Sequence, residues 1–256
     1  TPTTNTWAAT PTPMTGGHRV LPAAAKLGDG RVLVNGGTGP TGTNDDVYNP
    51  KAKTWTATAL TDVRRVFHRA TTLADGRVLI TGGRNLSGAP AYTRRTDIFD
   101  PVKNGYDTSL LLGAMKDNRG FHTATLLADG RVLVTGGTDG VAVKTTGELY
   151  DPASRSWSVA GTMVGKRSNH TTLRLPTGVM LIMGGVADPG PALKACETFD
   201  PADGLFKPFP SLVVGRVSFV AELLPSGRLL AAGGTTASID SGYLESAEVV
   251  AAFANG

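Results

Sequence analysis

The sequence is poor in the residues that form covalent crosslinks and thiol-based metal sites. Cys196 is the single cysteine among 256 residues, which excludes an intrachain disulfide and a zinc site built on several thiolates. The formal net charge is only +4, without the clustered lysines and arginines of a dedicated nucleic-acid binder. No apolar run reaches the roughly 18 residues of a transmembrane helix. The sequence therefore predicts no nucleic-acid partner, no membrane span and no cofactor.

Helical periodicity is also missing, whereas residues that favour turns are abundant. The chain has 33 glycines and 16 prolines, a composition that favours many turns over long helices. It opens at Thr1 in a Thr/Pro-rich stretch without a methionine, which we interpret as a processed start from which any signal peptide is gone. We therefore expect an extracellular or cell-surface protein, with the cytoplasm as the alternative because a disulfide-free chain fits both compartments.

An internal repeat dominates the sequence. Two adjacent glycines end an apolar run five times, at steps of 46, 54, 48 and 49 residues. The first glycines of these doublets are Gly36, Gly82, Gly136, Gly184 and Gly233. An arginine precedes each doublet by 17 residues, and the five are Arg19, Arg65, Arg119, Arg167 and Arg216. A period near 50 with short apolar runs is typical of propeller blades.

The second half of each unit repeats as well. An acidic residue lies two positions before an aromatic or apolar residue, and the five acids are Asp46, Asp97, Glu148, Glu197 and Glu248. A later aromatic follows at Trp55, Tyr106, Trp157 and Phe206, and Trp7 belongs to this series although it precedes the first unit. Five arginines matched by five acids predict ion pairs within or between blades. A group that occurs once per blade is more simply scaffold than site, so we assign these residues a structural role.

Each unit is predicted to form four short strands, with an Asp-Gly hairpin between the first two in three copies. The Gly-Gly doublet, the Tyr-Asp-Pro turn and the later Trp resemble Kelch repeats. The unit from 119 to 137 looks especially similar to bacterial repeats related to the galactose oxidase propeller. The resemblance implies a single all-β propeller domain. Its predicted blades span residues 17–58, 63–109, 117–160, 165–209 and 214–253.

The ends of the chain suggest how the ring closes. The fifth unit lacks a fourth strand, and Asn5–Thr10 is an unattached strand of that type. We expect residues 5–10 to complete the last blade, which would remove two exposed sheet edges. Kelch propellers usually have six or seven blades, so a fragment of a larger ring or a ring shared between chains stays open as an alternative.

Residues with catalytic or metal-binding chemistry do not assemble into a recognisable site. His68, His122 and His170 share one repeat position, which elsewhere holds Pro22 and Phe219, so we predict no zinc site. The copper-radical oxidases built on related propellers need a ligand motif that is absent here, and no Gly-x-Ser-x-Gly elbow occurs. We assign no catalytic residue. The loop acids could still serve an enzyme, and they are Asp62, Asp117, Asp139, Asp188 and Asp240.

Strand alternation places the long variable loops on one face of the ring. The links between strands two and three, and those from strand four to the next blade, emerge together, and such loops usually carry binding. Their basic and aromatic residues predict an acidic ligand. The candidates are Arg64, Arg84, Tyr92, Arg94, Arg95, Lys116, Lys166 and Tyr243. We expect a monomeric binding propeller that recognises an anionic glycan or a protein, the alternative being a sugar-acid isomerase, lyase or oxidase at the channel mouth.

Overall fold

The computed structural model is built of β-strands, with no helix among the residues that it describes. These residues are 9–15, 17–39, 45–58, 63–86, 88–107, 113–237 and 242–250. The first two blades contain β1 (Ala23–Lys26), β2 (Val32–Asn35), β3 (Asp46–Asn49), β4 (Thr54–Ala57), β5 (Arg65–Val66), β6 (Arg69–Thr72), β7 (Val78–Thr81), β8 (Arg84–Asn85), β9 (Thr96–Asp100) and β10 (Gly105–Asp107).

The remaining three blades follow the same plan. They contain β11 (Thr123–Leu126), β12 (Val132–Thr135), β13 (Thr146–Asp151), β14 (Ser156–Thr162), β15 (Thr171–Arg174), β16 (Met180–Met183), β17 (Cys196–Asp200), β18 (Leu205–Phe209), β19 (Val220–Leu223), β20 (Leu229–Ala232) and β21 (Ala247–Val250). Each blade is an antiparallel meander, for example in the order β11-β12-β13-β14. The predicted all-β propeller of five blades is confirmed, with four described strands in four blades and three in the fifth.

The closing strand predicted from Asn5 to Thr10 lies mostly outside the described residues, as does Trp7. Only its last two residues are described. The indole of Trp55 in blade 1 donates to the hydroxyl of Thr10 at 3.3 Å. Within the described part of the chain, no helix has the length and apolar character that a membrane span requires.

The first strand of each blade runs beside the propeller axis. Strands β1, β6, β11, β15 and β19 contact one another in sequence, and we call the space that they face at the axis the channel. The apolar core lies between neighbouring blades. Leu33 and Val47 of blade 1 pack with Ile80 and Phe99 of blade 2. A second cluster joins Leu79 of blade 2 to Tyr150 of blade 3, and Trp157 packs against it. Hydrophobic burial thus holds each blade to the next.

Each repeated arginine lies buried beside the acid of its own blade. The pairs Arg119–Glu148 and Arg167–Glu197 are 2.6 Å apart, and their side chains are at most 2% exposed. The remaining pairs are Arg19–Asp46, Arg65–Asp97 and Arg216–Glu248. The same guanidinium donates to the carbonyl of the first doublet glycine, as Arg119 does to Gly136 at 2.8 Å. The acid also accepts the backbone N–H of the preceding interblade link, as Glu148 does from Lys116. One ion pair thereby fixes a strand, a glycine corner and a link.

The glycine doublets lie where one blade meets the next. At Gly82, φ is +57° and a Cβ would stand 2.3 Å from the carbonyl oxygen of Arg119 and 2.9 Å from the ring of His122. The N–H of Gly83 donates to that same Arg119 carbonyl at 2.8 Å. The doublet is glycine because the backbone of the next blade occupies the space that a side chain would need.

Candidate functional site

The two kinds of long connection share one face of the propeller, as the alternation of strands predicts. Strand β5 from the end of an interblade link pairs with β8 at the start of the loop between strands two and three. Equivalent single bridges join Gly120 to Thr138 and Ser168 to Val186. We call this surface the loop face. The opposite surface, the turn face, carries the short repeated turns.

A ring of residues in the left-handed backbone conformation surrounds the channel on the loop face. The residue two positions after each repeated arginine has φ between 53° and 60°, and these five form the mouth ring: Leu21, Phe67, Phe121, Asn169 and Ser218. Backbone hydrogen bonds link four of them, because Phe121 donates to Phe67, Asn169 to Phe121 and Ser218 to Asn169 at 2.9–3.1 Å. The rings of Phe67 and Phe121 stack with centroids 3.8 Å apart. Bulky side chains rarely adopt this backbone conformation, so the two phenylalanines occupy a strained position.

A cleft of about 330 Å³ opens on the loop face over blades 3 and 4. Its lining residues come from the variable loops and from the mouth ring: Tyr92, Phe121, Thr138, Gly140, Val143, Ser168, Asn169, Val186, Asp188, Gly190 and Val217. The ring of Tyr92 reaches across from blade 2 and lies against two glycines of blade 3. A Cβ would lie 2.8 Å from it at Gly120 and 2.9 Å at Gly140, so these glycines make room for the ring.

The cleft combines aromatic walls with a few polar groups. Tyr92 and Phe121 supply the rings, and Asn169 and Asp188 supply an amide and a carboxylate. Burial raises the pKa of the Tyr92 phenol, while the positive charge of Arg84 acts in the opposite direction. The phenol thus stays protonated and can donate a hydrogen bond at neutral pH. A mostly apolar cleft with a few fixed polar groups is the usual form of a small-ligand site.

The structure separates the predicted binding residues into three groups. Arg84, Arg94, Lys116 and Lys166 are exposed on loop-face segments, and Tyr243 is 74% exposed but does not line the cleft. Two arginines have intramolecular partners: Arg95 pairs with Asp97 at 2.8 Å, and Arg64 donates to the carbonyl of Gly39 at 3.1 Å. Only Tyr92 lines the cleft itself.

Sequence reasoning missed Phe121, Asn169 and Asp188 as a group. Phe121 and Asn169 stand two positions after a repeated arginine, and Asp188 was considered only among the loop acids. One sequence signal pointed to this position: Phe67 and Phe121 stand at the same distance from the repeated arginine in neighbouring units, whereas the other three units have different residues there.

The three repeated histidines lie in the blade interfaces and are at most 3% exposed. The Nε2 atom of His122 lies 2.8 Å from the hydroxyl of Thr81, and that of His170 lies 3.0 Å from Thr135. Burial, followed by the charge of Arg65, lowers the pKa of His68 to about 3. Burial and nearby arginines also lower the pKa values of His122 and His170 well below the usual range. In the described part of the chain, no three histidine, cysteine or acidic side chains are grouped to hold a metal ion.

Among the loop acids, Asp62 and Asp240 lie outside the described residues. Asp117 accepts hydrogen bonds from Thr146 and Arg119, and Asp139 pairs with Lys144 at 2.5 Å. Cys196 is buried, and burial raises the pKa of its thiol. Of the loop acids that the structure describes, Asp188 is the one that lines the cleft.

A second cleft, of about 400 Å³, lies on the turn face. It is lined by the Asp-Gly-Arg turns of blades 2 and 3 and by residues 151–153. The charges of these turns are already paired, Asp75 with Arg77 at 2.7 Å and Asp129 with Arg131 at 2.6 Å. The turn-face cleft is thus built of repeated scaffold elements.

Comparisons with known proteins agree with the architecture. The family model of the Kelch motif matches residues 119–164, which form the third blade. The solved structure of YjhT resembles this chain with a TM-score of 0.70 and 18% sequence identity, over 87% of this chain and 74% of that one. At this identity the likeness concerns the fold. No curated protein matches the sequence significantly.

Proposed function

Because this chain is a Kelch-type β-propeller, we propose that it is a binding module whose loop-face cleft recognises a carbohydrate. The observation that carries the proposal is the convergence of Tyr92, Phe121, Asn169 and Asp188 on one cleft. A sugar ring offers an apolar C–H face that buries surface against an aromatic ring. Its hydroxyls offer donors and acceptors to an amide and a carboxylate.

The charge of the surrounding surface favours an acidic carbohydrate. Arg84 acts electrostatically on Tyr92, and Arg94, Lys116 and Lys166 are exposed on the same face. Exposed positive charges on one face steer anionic ligands toward that face and accelerate association at low salt. A ligand of this kind is met outside the cell, so we also propose an extracellular or cell-surface location and a monomeric protein.

The mouth ring supplies a matched pair of variants to test this. Asparagine adopts positive φ more readily than other non-glycine residues, so Phe121→Asn removes a ring from the cleft and suits the backbone. Leu21→Asn makes the same change at an equivalent position that does not line the cleft. We expect a labelled protein to bind uronic-acid-containing oligosaccharides on a glycan array. In calorimetry, Phe121→Asn should weaken binding roughly tenfold, the equivalent of about 1.4 kcal/mol, and Leu21→Asn should leave binding unchanged.

Two outcomes would overturn the proposal. If no glycan binds, while the protein retains its thermal transition, the cleft does not serve carbohydrate recognition. If glycans bind equally well to Phe121→Asn and to the wild type, the binding surface lies elsewhere. The alternative of a sugar-acid enzyme gains little support from the described residues, because the cleft lining holds one carboxylate, that of Asp188, beside the Tyr92 phenol, and no histidine, lysine or second carboxylate.

A further inference from the structure

Arg69 stands out among the side chains of the strands that face the channel. It is the first residue of β6 and follows His68 and the mouth-ring residue Phe67. Arg69 thus lies at the loop-face end of the strand. The other charged residues of these strands stand at different levels. Lys26 and Arg174 end their strands, and Glu222 is the third residue of β19.

The register of β6 fixes the direction in which Arg69 points. Side chains alternate along a strand, and Ala70 packs into the cluster between blades 1 and 2. The hydroxyl of Thr71 instead bonds to the carbonyl of Ala124 in blade 3. Arg69 shares the face of Thr71 and therefore points toward blade 3. At the equivalent position of blade 3, the short side chain of Thr123 reaches Thr135, Thr172 and His170.

No ion pair or hydrogen bond of the Arg69 guanidinium occurs within the described residues, in contrast to the five repeated arginines. Its positive charge contributes to the lowered pKa values of three histidines in three different blades, His68, His122 and His170. These rings are neutral at pH 7 and offer no negative charge to balance the arginine.

Arg69 is exposed by surface area, yet burial lowers the pKa of its guanidinium. A group on the wall of a narrow, solvent-accessible space that protein surrounds on most sides shows both properties. A cation in such a place has lost part of its hydration and gains more from a partner anion than a surface arginine does.

We propose that the channel holds a carboxylate-binding site centred on the guanidinium of Arg69. The planar fork of an arginine matches a carboxylate with two parallel hydrogen bonds, and no protein carboxylate of the described residues occupies this fork. The stacked rings of Phe67 and Phe121 lie at the same end of the channel and provide an apolar wall. This arrangement suits the carboxylate of a small organic acid. The site does not depend on carbohydrate binding in the cleft.

The test uses sodium acetate as the probe, because acetate presents a carboxylate without a sugar ring. Thermal unfolding of the purified protein is followed against acetate, and against sodium chloride at equal ionic strength. We expect a saturable stabilisation by acetate beyond the effect of chloride. Arg69→Gln should lose this excess, with an apparent affinity for acetate at least about tenfold weaker. Arg174→Gln removes an arginine from the other end of a channel-facing strand and should retain the excess.

Arg69→Lys provides a second variant should the glutamine variant fold poorly, because it keeps the charge and loses the fork. Its acetate-specific stabilisation should also fall below that of the wild type. The proposal is overturned if acetate and chloride act alike on the wild type, or if either Arg69 variant keeps the full acetate effect. A protein that binds acetate but no glycan would refute carbohydrate recognition alone, and a glycan-binding protein with no acetate-specific effect would refute this site alone.

Discussion

The histidines in the blade interfaces should make the folded protein less stable in acid. One interface of the same protein has an apolar pair at the equivalent positions, and this pair shows which substitutions should remove the acid sensitivity. Between blades 3 and 4, Thr135 contacts the ring of His170. Between blades 4 and 5, the equivalent residues Met183 and Phe219 pack in one apolar cluster. The double variant Thr135→Met/His170→Phe transplants this apolar pair one interface back. The hydroxyl of Thr123 keeps Thr172 as its partner in the variant.

The magnitude follows from linkage. Burial, then the charge of Arg167, lowers the pKa of His170 well below its ordinary value of 6.5 in the folded protein. Below pH 6.5 this imidazole therefore binds a proton in the unfolded chain more readily than in the folded chain. Stability from this group is therefore complete above about pH 6.5 and decreases as the pH falls toward the folded pKa. Each pH unit below 6.5 costs about 1.36 kcal/mol of unfolding free energy, so the loss at pH 5 is roughly 2 kcal/mol.

Urea denaturation at pH 7.5 and pH 5.0 measures this quantity. We expect the loss of unfolding free energy between the two pH values to be about 2 kcal/mol smaller in the double variant than in the wild type. Carboxylates elsewhere titrate equally in both proteins and cancel in the comparison. Equal pH dependence of the two proteins would refute the assignment of His170 as a buried, neutral histidine.

Three further predictions concern the scaffold. Gly82→Ala should lower the unfolding free energy by about 2–4 kcal/mol in urea titrations, because the added Cβ would collide with the next blade. Gly130→Ala is the control: open space surrounds that position, so the substitution should cost only about 1 kcal/mol. Arg119→Met should cost about 3–5 kcal/mol because it leaves Glu148 buried without its partner; a loss below about 1 kcal/mol in the same titration would contradict this. Cys196 should react with a thiol reagent only after unfolding, and rapid labelling of the native protein would contradict its burial.

The scaffold could be predicted from the sequence because repetition supplies the register. An arginine, a glycine doublet and an acid that recur at fixed offsets occupy the same place in every blade. Five copies thereby identified the strands, their order and the two faces. The matched contacts Thr81–His122 and Met183–Phe219 follow the same logic, since a change on one blade surface is accompanied by a fitting change on the next.

The cleft was only partly predictable, because it depends on how neighbouring blades converge. Tyr92 was expected on the loop face, but its seat between Gly120 and Gly140 of another blade is a tertiary feature. Phe121 stood inside the repeat and resembled scaffold, since a phenylalanine gives no hint of positive φ. The partner of Arg95 could have been foreseen. Arg95 and Asp97 are two residues apart where a strand begins, and side chains at this spacing share one face.

Hydrogen exchange in the presence of a uronic-acid-containing oligosaccharide tests the central claim, that the loop face binds the ligand, most directly. We predict slower exchange of backbone amides around Phe121, Asn169 and Val186, which surround the cleft, and unchanged exchange in the turns at 74–77 and 129–131 on the opposite face. Slower exchange confined to those turns, or no change anywhere at saturating oligosaccharide, would contradict it.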